Sequence, residues 1–327
     1  MAETGLWVTN DNGGSYFNLA SGGARAITFL QRIKASNSST TMRYTISNKS
    51  AGTTLMVVPV HSFELFQPNN TLSVIAVCTT SISVSGNVVT INFSNTNAGQ
   101  PFISKDGYFY YDVYETTEPS AGSYGLFMRD STDFSAITDA TKSGLCVYRN
   151  TVTVNGTWTV PNSIPNRANC SVFANWSSAS AVVEYNPSTF QITTKGSVTL
   201  NIAIFSNGFQ LTMPPYGFYI FNKSGQCTYN SNYIPLFVKK TVAFSGASLN
   251  TGIAKPLIPL YVVGGEAQDL GGSRYDFYNK GIIMSGSTIR SGRGKLVLGA
   301  TYTDYDQPYF NDTTLPLIVL DGAQYFN

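Results

Sequence analysis

Tyr216-Gly217-Phe218-Tyr219-Ile220-Phe221-Asn222-Lys223-Ser224-Gly225-Gln226 reads as a short strand that runs into a tight turn. Bulky and aromatic residues suit a pleated, half-buried backbone. Asn and Gly then tolerate the left-handed conformations that hairpin turns require. Two other segments repeat the pattern, Gly5-Leu6-Trp7-Val8-Thr9-Asn10-Asp11 and Gly125-Leu126-Phe127-Met128-Arg129-Asp130-Ser131. Each runs Gly, bulky apolar, aromatic, apolar, any residue, Asn or Asp, and then a polar turn. Tyr precedes the Gly in the later two copies, as Tyr124 and Tyr216. Each copy is expected to be a strand, a turn and a return strand.

The surrounding sequence is also strand-like. Ile82-Ser83-Val84, Val89 to Phe93 and Val198 to Ile204 alternate with period two, and Tyr108 to Tyr114 and Val182 to Tyr185 are β-branched or aromatic. No window sustains helical apolar spacing, because Gly, Pro and Asn interrupt nearly every stretch. Turn signals such as Ser85-Gly86-Asn87 and Asn186-Pro187 fall between the strands. Small-residue or Pro-rich linkers, Thr117 to Gly122 and Met213-Pro214-Pro215, precede the later openings. The spacing predicts an all-β chain of tandem small antiparallel β-sandwich modules over residues 1–120, 121–213 and 214–327. The third is expected to have a loop-rich distal half.

Composition narrows the function classes. Only 12% of the 327 residues are charged, while 43% are hydrophobic and 13% aromatic, which is ample core material and argues against disorder. No apolar run nears the 18 or more residues of a spanning helix, so no membrane insertion is expected. A net charge of +2 gives no electrostatic case for a nucleic-acid partner. Met1-Ala2-Glu3-Thr4-Gly5 is acidic and reads as no secretory leader, so the Asn-x-Ser/Thr triplets at Asn37, Asn48, Asn92 and Asn222 carry no weight. Cys78, Cys146, Cys170 and Cys227 match no C-x-x-C spacing. They read as free, mostly buried thiols of a protein made in a reducing cytoplasm, with one or two disulfides as the alternative.

Tyr216 to Gln226, followed by Thr228-Tyr229-Asn230-Ser231-Asn232-Tyr233, resembles the opening of small tail proteins of lambdoid and related long-tailed bacteriophages. Domains of that family begin with a Tyr-Gly-Leu-x-Val/Ile-x-Asn-x-x-Gly strand and turn. The copies at Gly5 and Gly125 fit more loosely: the turn Gly is Gly13 in the first and missing in the second. The resemblance covers the openings and parts of the first two modules, not the last 85 or so residues. It implies a structural protein of the tail tip or tail fibre, and it supplies no catalytic residues.

Candidate chemistry is sparse. His61 is the one His, flanked by Val60 and Ser62 in a strand-like run, and reads as a packed or surface residue. Without a His cluster, triad hydrolysis and transition-metal chemistry have no material. Asp304 and Asp306, with Asn311 and Asp312 following, form the densest acidic group. A solvated loop is the default there, with a structural Ca²⁺ site or a glycosidase-like pair as sharper readings. Glu115 and Glu118 end a strand and are expected to be solvated. Ser291-Gly292-Arg293-Gly294-Lys295 lacks the spacing of a phosphate-binding loop. Arg274, Lys280, Arg290, Arg293 and Lys295 make a locally basic stretch, read as a solvated loop or as a binder of an acidic partner. Of the aromatic runs Tyr108 to Tyr111 and Phe218 to Phe221, one ring set must be core. The other can pack on a neighbouring chain or stack on a sugar.

The expectation is therefore a bacteriophage tail protein without enzymatic activity or cofactor, assembled in the host cytoplasm and carried in the virion. Its partners are expected to be other tail proteins, copies of itself in a homo-oligomer, and a host surface receptor or glycan. Arg290, Arg293, Asp304, Asp306 and Tyr309 are expected to line a distal, partner-facing surface, since loops on a rigid β-scaffold are where binding concentrates. The alternative, from another class, is a carbohydrate-binding or polysaccharide-degrading protein.

Overall fold

The computed structural model describes residues 7–8, 17–18, 25–35, 39–67, 74–95, 109–116, 125–129, 134–138, 144–213, 215–221, 225–302 and 314–326. Within them the chain is nearly all β, built from antiparallel sheets, with two short 3₁₀ turns at Arg167–Asn169 and Gly322–Gln324. Among the described residues no helix is long and apolar enough to cross a membrane.

All three repeated openings form hairpins. Trp7–Val8 pairs Phe17–Asn18, Gly125–Arg129 pairs Phe134–Thr138, and Tyr219–Phe221 pairs Cys227–Asn230, each as a two-stranded antiparallel sheet of its own. The Gly225 turn lies at φ +73°, as the Asn-x-x-Gly pattern requires.

Two four-stranded sheets follow from the N-terminal third. One runs Thr41–Thr45, Val88–Asn95, Ile75–Ser85, Phe63–Phe66; the other runs Phe237–Val238, Arg25–Ala35, Phe109–Thr116, Thr54–His61. They enclose one core, to which Ile75, Val89 and Ile91 come from the first sheet and Ile33, Val57 and Phe109 from the second. The aromatic run ending at Tyr111 supplies the core set anticipated from sequence, with Phe109 and Tyr111 fully buried. Tyr108 lies outside the described residues.

The remaining strands build an eleven-stranded sheet. Its spine is the long Leu145–Thr159 and Gln191–Ser206 pair, in which Ile192, Leu200, Ile202 and Ile204 alternate inward. Hydrogen bonding crosses residue 213: Phe173 pairs Pro259, and Val183 pairs Ile282. It also joins the first third to the rest, since Phe237–Val238 pairs Arg25 and Ala26, and His61 bridges Val262 in parallel. One buried cluster accordingly takes Val60, Leu200 and Leu317 together. The stretches 1–120, 121–213 and 214–327 thus share sheets and cores.

Two expectations differ from what is observed. The distal part of the last stretch is strand, as Gly264–Gly271, Arg274–Ser285 and Thr288–Tyr302, joined by tight turns whose glycines Gly271, Gly272 and Gly286 all have positive φ. Other glycines there are packing positions: the Phe63 ring lies against Gly265 in the space a Cβ would fill. Glu115 is buried, not solvated, and accepts from Ser50 N (2.8 Å), Ser50 Oγ (2.9 Å) and Thr53 Oγ1 (2.8 Å), tying down the loop before Thr54. Glu118 lies outside the described residues.

Candidate functional site

Two features stand out, an aromatic hairpin and a polar cleft. In the hairpin, Ile220 and Tyr229 face each other across the strands and join a cluster with Phe205 and Phe237. Asn230 is fully buried, donating from Nδ2 to Thr212 O (3.1 Å) and accepting from Asn232 N (3.1 Å). These contacts fix the hairpin to the body. Phe221 is adjacent to Ile220 on the strand, points to the opposite face and is exposed; before the strand, Phe218, Tyr216, at 83%, and Met213 are exposed as well. Four large apolar side chains are thus exposed over 9 residues, from 213 to 221.

The cleft lies where the Thr54–His61 and Phe63–Phe66 strands meet the Val182–Asn186 and Thr288–Tyr302 strands, and has a volume of about 230 Å³. Ser62 Oγ donates to Val262 O (3.1 Å) at this seam. His61 is buried, and its Nε2 lies 2.8 Å from Glu64 Oε2, while Nδ1 has no partner among the described residues. Across the cleft Glu184 sits in the middle of an apolar strand, only 5% exposed. Its Oε1 accepts from Lys295 N (2.6 Å) and its Oε2 from Asn279 Nδ2 (3.3 Å). Burial pushes its carboxyl above the ordinary range, opposed by those two hydrogen bonds. Glycine makes the slot: a Cβ on Gly294 would overlap Glu184 Oε1, and one on Gly281 would lie 2.6 Å from Val183 O.

Of the five residues expected to line one distal surface, Arg290 and Arg293 are described. Arg290 is exposed and donates to Ala179 O (3.0 Å). Arg293 points to the other face of its strand, where its guanidinium donates to Glu266 Oε1 (2.8 Å) and Gln268 Oε1 (2.6 Å) and lies 5.0 Å over the Tyr278 ring. Asp304, Asp306 and Tyr309 lie outside the described residues. Among the described residues no group of three His, Cys, Asp or Glu side chains could hold a metal ion. All four cysteines are free thiols, Cys146 and Cys170 buried, Cys78 and Cys227 half-buried.

Sequence reasoning missed Glu64 and Glu184. The signal for Glu184 is a carboxylate in the middle of Val182-Val183-Glu184-Tyr185, where an unpaired charge is too costly to sit without hydrogen-bond donors.

The chain belongs to a family of unknown function (DUF6453), matched over residues 5–306. No curated protein and no solved structure matches it.

Proposed function

We propose that this member of the family is a structural protein of a bacteriophage tail, at the tip or beside a fibre, that acts by binding neighbouring tail proteins. The observation that carries the reading is the Tyr219–Phe221 and Cys227–Asn230 hairpin, which holds Met213, Tyr216, Phe218 and Phe221 in solvent. This is also the segment whose sequence resembles the opening of phage tail domains. An exposed aromatic patch on a rigid anchor suits a protein interface, where Tyr and Phe are enriched and cost little conformational entropy. A neighbouring chain can cover the patch or extend the two-stranded sheet along its open edges. In this reading the chain works in the virion after assembly in the host cytoplasm, as a homo-oligomer or beside other tail proteins.

The test is incorporation. Tyr216→Ser, Phe218→Ser and Phe221→Ser together remove the patch while leaving the anchors Ile220 and Tyr229 in place. The triple variant should keep its circular dichroism spectrum and fail to co-purify with tail particles. Normal incorporation of the folded variant refutes the assignment of this face, and failure of the wild-type chain to co-purify with tails refutes the tail reading.

A further inference from the structure

We propose that the His61–Glu184 cleft binds one neutral, polyhydroxylated ring, the size of a single hexopyranose. Its volume of about 230 Å³ lies below the ~300–1,000 Å³ of pockets that enclose drug-sized ligands, which limits the occupant to about one ring. The charges select against ions. An anion meets the Glu64 carboxylate and the one ammonium of Lys295, which leaves it no net attraction. A cation finds little field either, because Glu64 already shares His61 and burial disfavours the charged form of Glu184.

What remains is a lining matched to hydroxyl groups, each of which both donates and accepts. Gln191 offers a carbonyl and an amide, Thr193 a hydroxyl, and Glu184 an oxygen pair with lone pairs beyond those used by Lys295 N and Asn279 Nδ2. The glycine slot at Gly294 and those two bonds hold the Glu184 carboxyl in place before any ligand arrives, so little ordering is needed on binding. Leu296 and Val297, 45% and 37% exposed, line the same cleft and offer an apolar surface to the C–H face of a sugar ring. The cleft shares no residue with the aromatic hairpin, so each proposal can fail without the other.

The experiment is an NMR titration of the full chain with D-glucose, D-galactose, D-mannose and N-acetyl-D-glucosamine, with sodium phosphate and putrescine as charged probes. At least one sugar should saturate with a dissociation constant in the range of about 1–10 mM, as befits so few contact atoms. Gln191→Ala should weaken that sugar about tenfold, the worth of one good hydrogen bond, with an unchanged unfolding midpoint. Leu296→Asp, a second surface change, should weaken it as well. The methyl glycoside of the bound sugar separates two sources: retained binding means the terminal unit of a glycan, and lost binding means a free sugar. Saturation by phosphate or putrescine instead of a sugar overturns the proposal, as does no saturating sugar, or a sugar whose affinity neither variant changes.

Discussion

The Arg32 guanidinium grips Asp112 in a buried two-point pair, with Nε 2.7 Å from Oδ1 and Nη2 3.0 Å from Oδ2. The same Nη2 donates to Cys170 O (2.7 Å), and Asp112 Oδ2 accepts from Ser171 Oγ (2.7 Å). Two strands of the N-terminal third are thereby fastened to the start of the Ser171–Asn175 strand and to Cys170 just before it, 138 residues on from Arg32. The pair needs this full set of partners, since a buried charge without them costs several kcal/mol.

Removing one partner should therefore cost far more than removing both. Asp112→Ala or Arg32→Met is expected to lower unfolding free energy by about 3–5 kcal/mol, while the double variant Arg32→Met/Asp112→Leu recovers a large part. Urea denaturation measures all three. Single losses under about 1 kcal/mol would show a pair behaving as if solvated.

Gly294→Ala should destabilise by about 1–3 kcal/mol, because its methyl group occupies the place of the Glu184 carboxylate. Combining it with Glu184→Ala should cost less than the two single changes added together, since the second change vacates the contested space. Strict additivity would mean that the two residues do not meet.

Glu184 gives the fold a pH dependence of definite sign. Its folded pKa lies above the ordinary 4.5 because burial opposes the charged form. The stabilising contribution of the neutral carboxyl is full below the unfolded value, and it is lost as pH rises through the folded one. Wild type relative to Glu184→Gln should therefore lose stability as pH climbs above about 4.5, read from thermal midpoints at stepped pH. A difference that stays flat from acid to neutral pH contradicts a raised pKa.

Thiol chemistry should divide the cysteines in two pairs. Burial pushes the Cys146 thiol up to about 12 and the Cys170 thiol up to about 11, so both carry little thiolate at neutral pH and no open path to reagent. Cys78 and Cys227 are half-buried. Mass spectrometry after brief alkylation of the native chain should find Cys78 and Cys227 modified first, and all four in urea.

The hairpins were legible in sequence because their signals are local. The strand signal of Phe218 to Phe221 and the Asn-x-x-Gly turn signal that ends at Gly225 lie side by side in the sequence. Gly292 and Gly294 were not legible in the same way. Glycine usually marks a turn, yet here the reason for it is a neighbouring strand: Ile283 and Val182 crowd Gly292, and Glu184 crowds Gly294. Glu115 likewise looks like an ordinary strand-end acid, and Asp112 like an isolated charge in an aromatic strand, until Ser50 and Thr53 reach the one and Arg32 and Ser171 the other from elsewhere in the chain. Pairings of that kind depend on which strands become neighbours, and alternation along one strand does not encode its neighbour.

The bridge from His61 to Val262 has a consequence for how the protein is born. At about 5–20 residues per second, a ribosome needs roughly 10–40 s to reach Val262 after making His61. Phe237–Val238 reaches back further still, to Arg25 and Ala26. Until Phe237–Val238 is made, the Arg25–Ala35 strand waits with part of one edge unfilled, in a crowded cell where other nascent strands could take the vacant place. The N-terminal third thus depends on residues not yet synthesised, and the yield of native chain should rise when translation is slowed little and holding chaperones are plentiful.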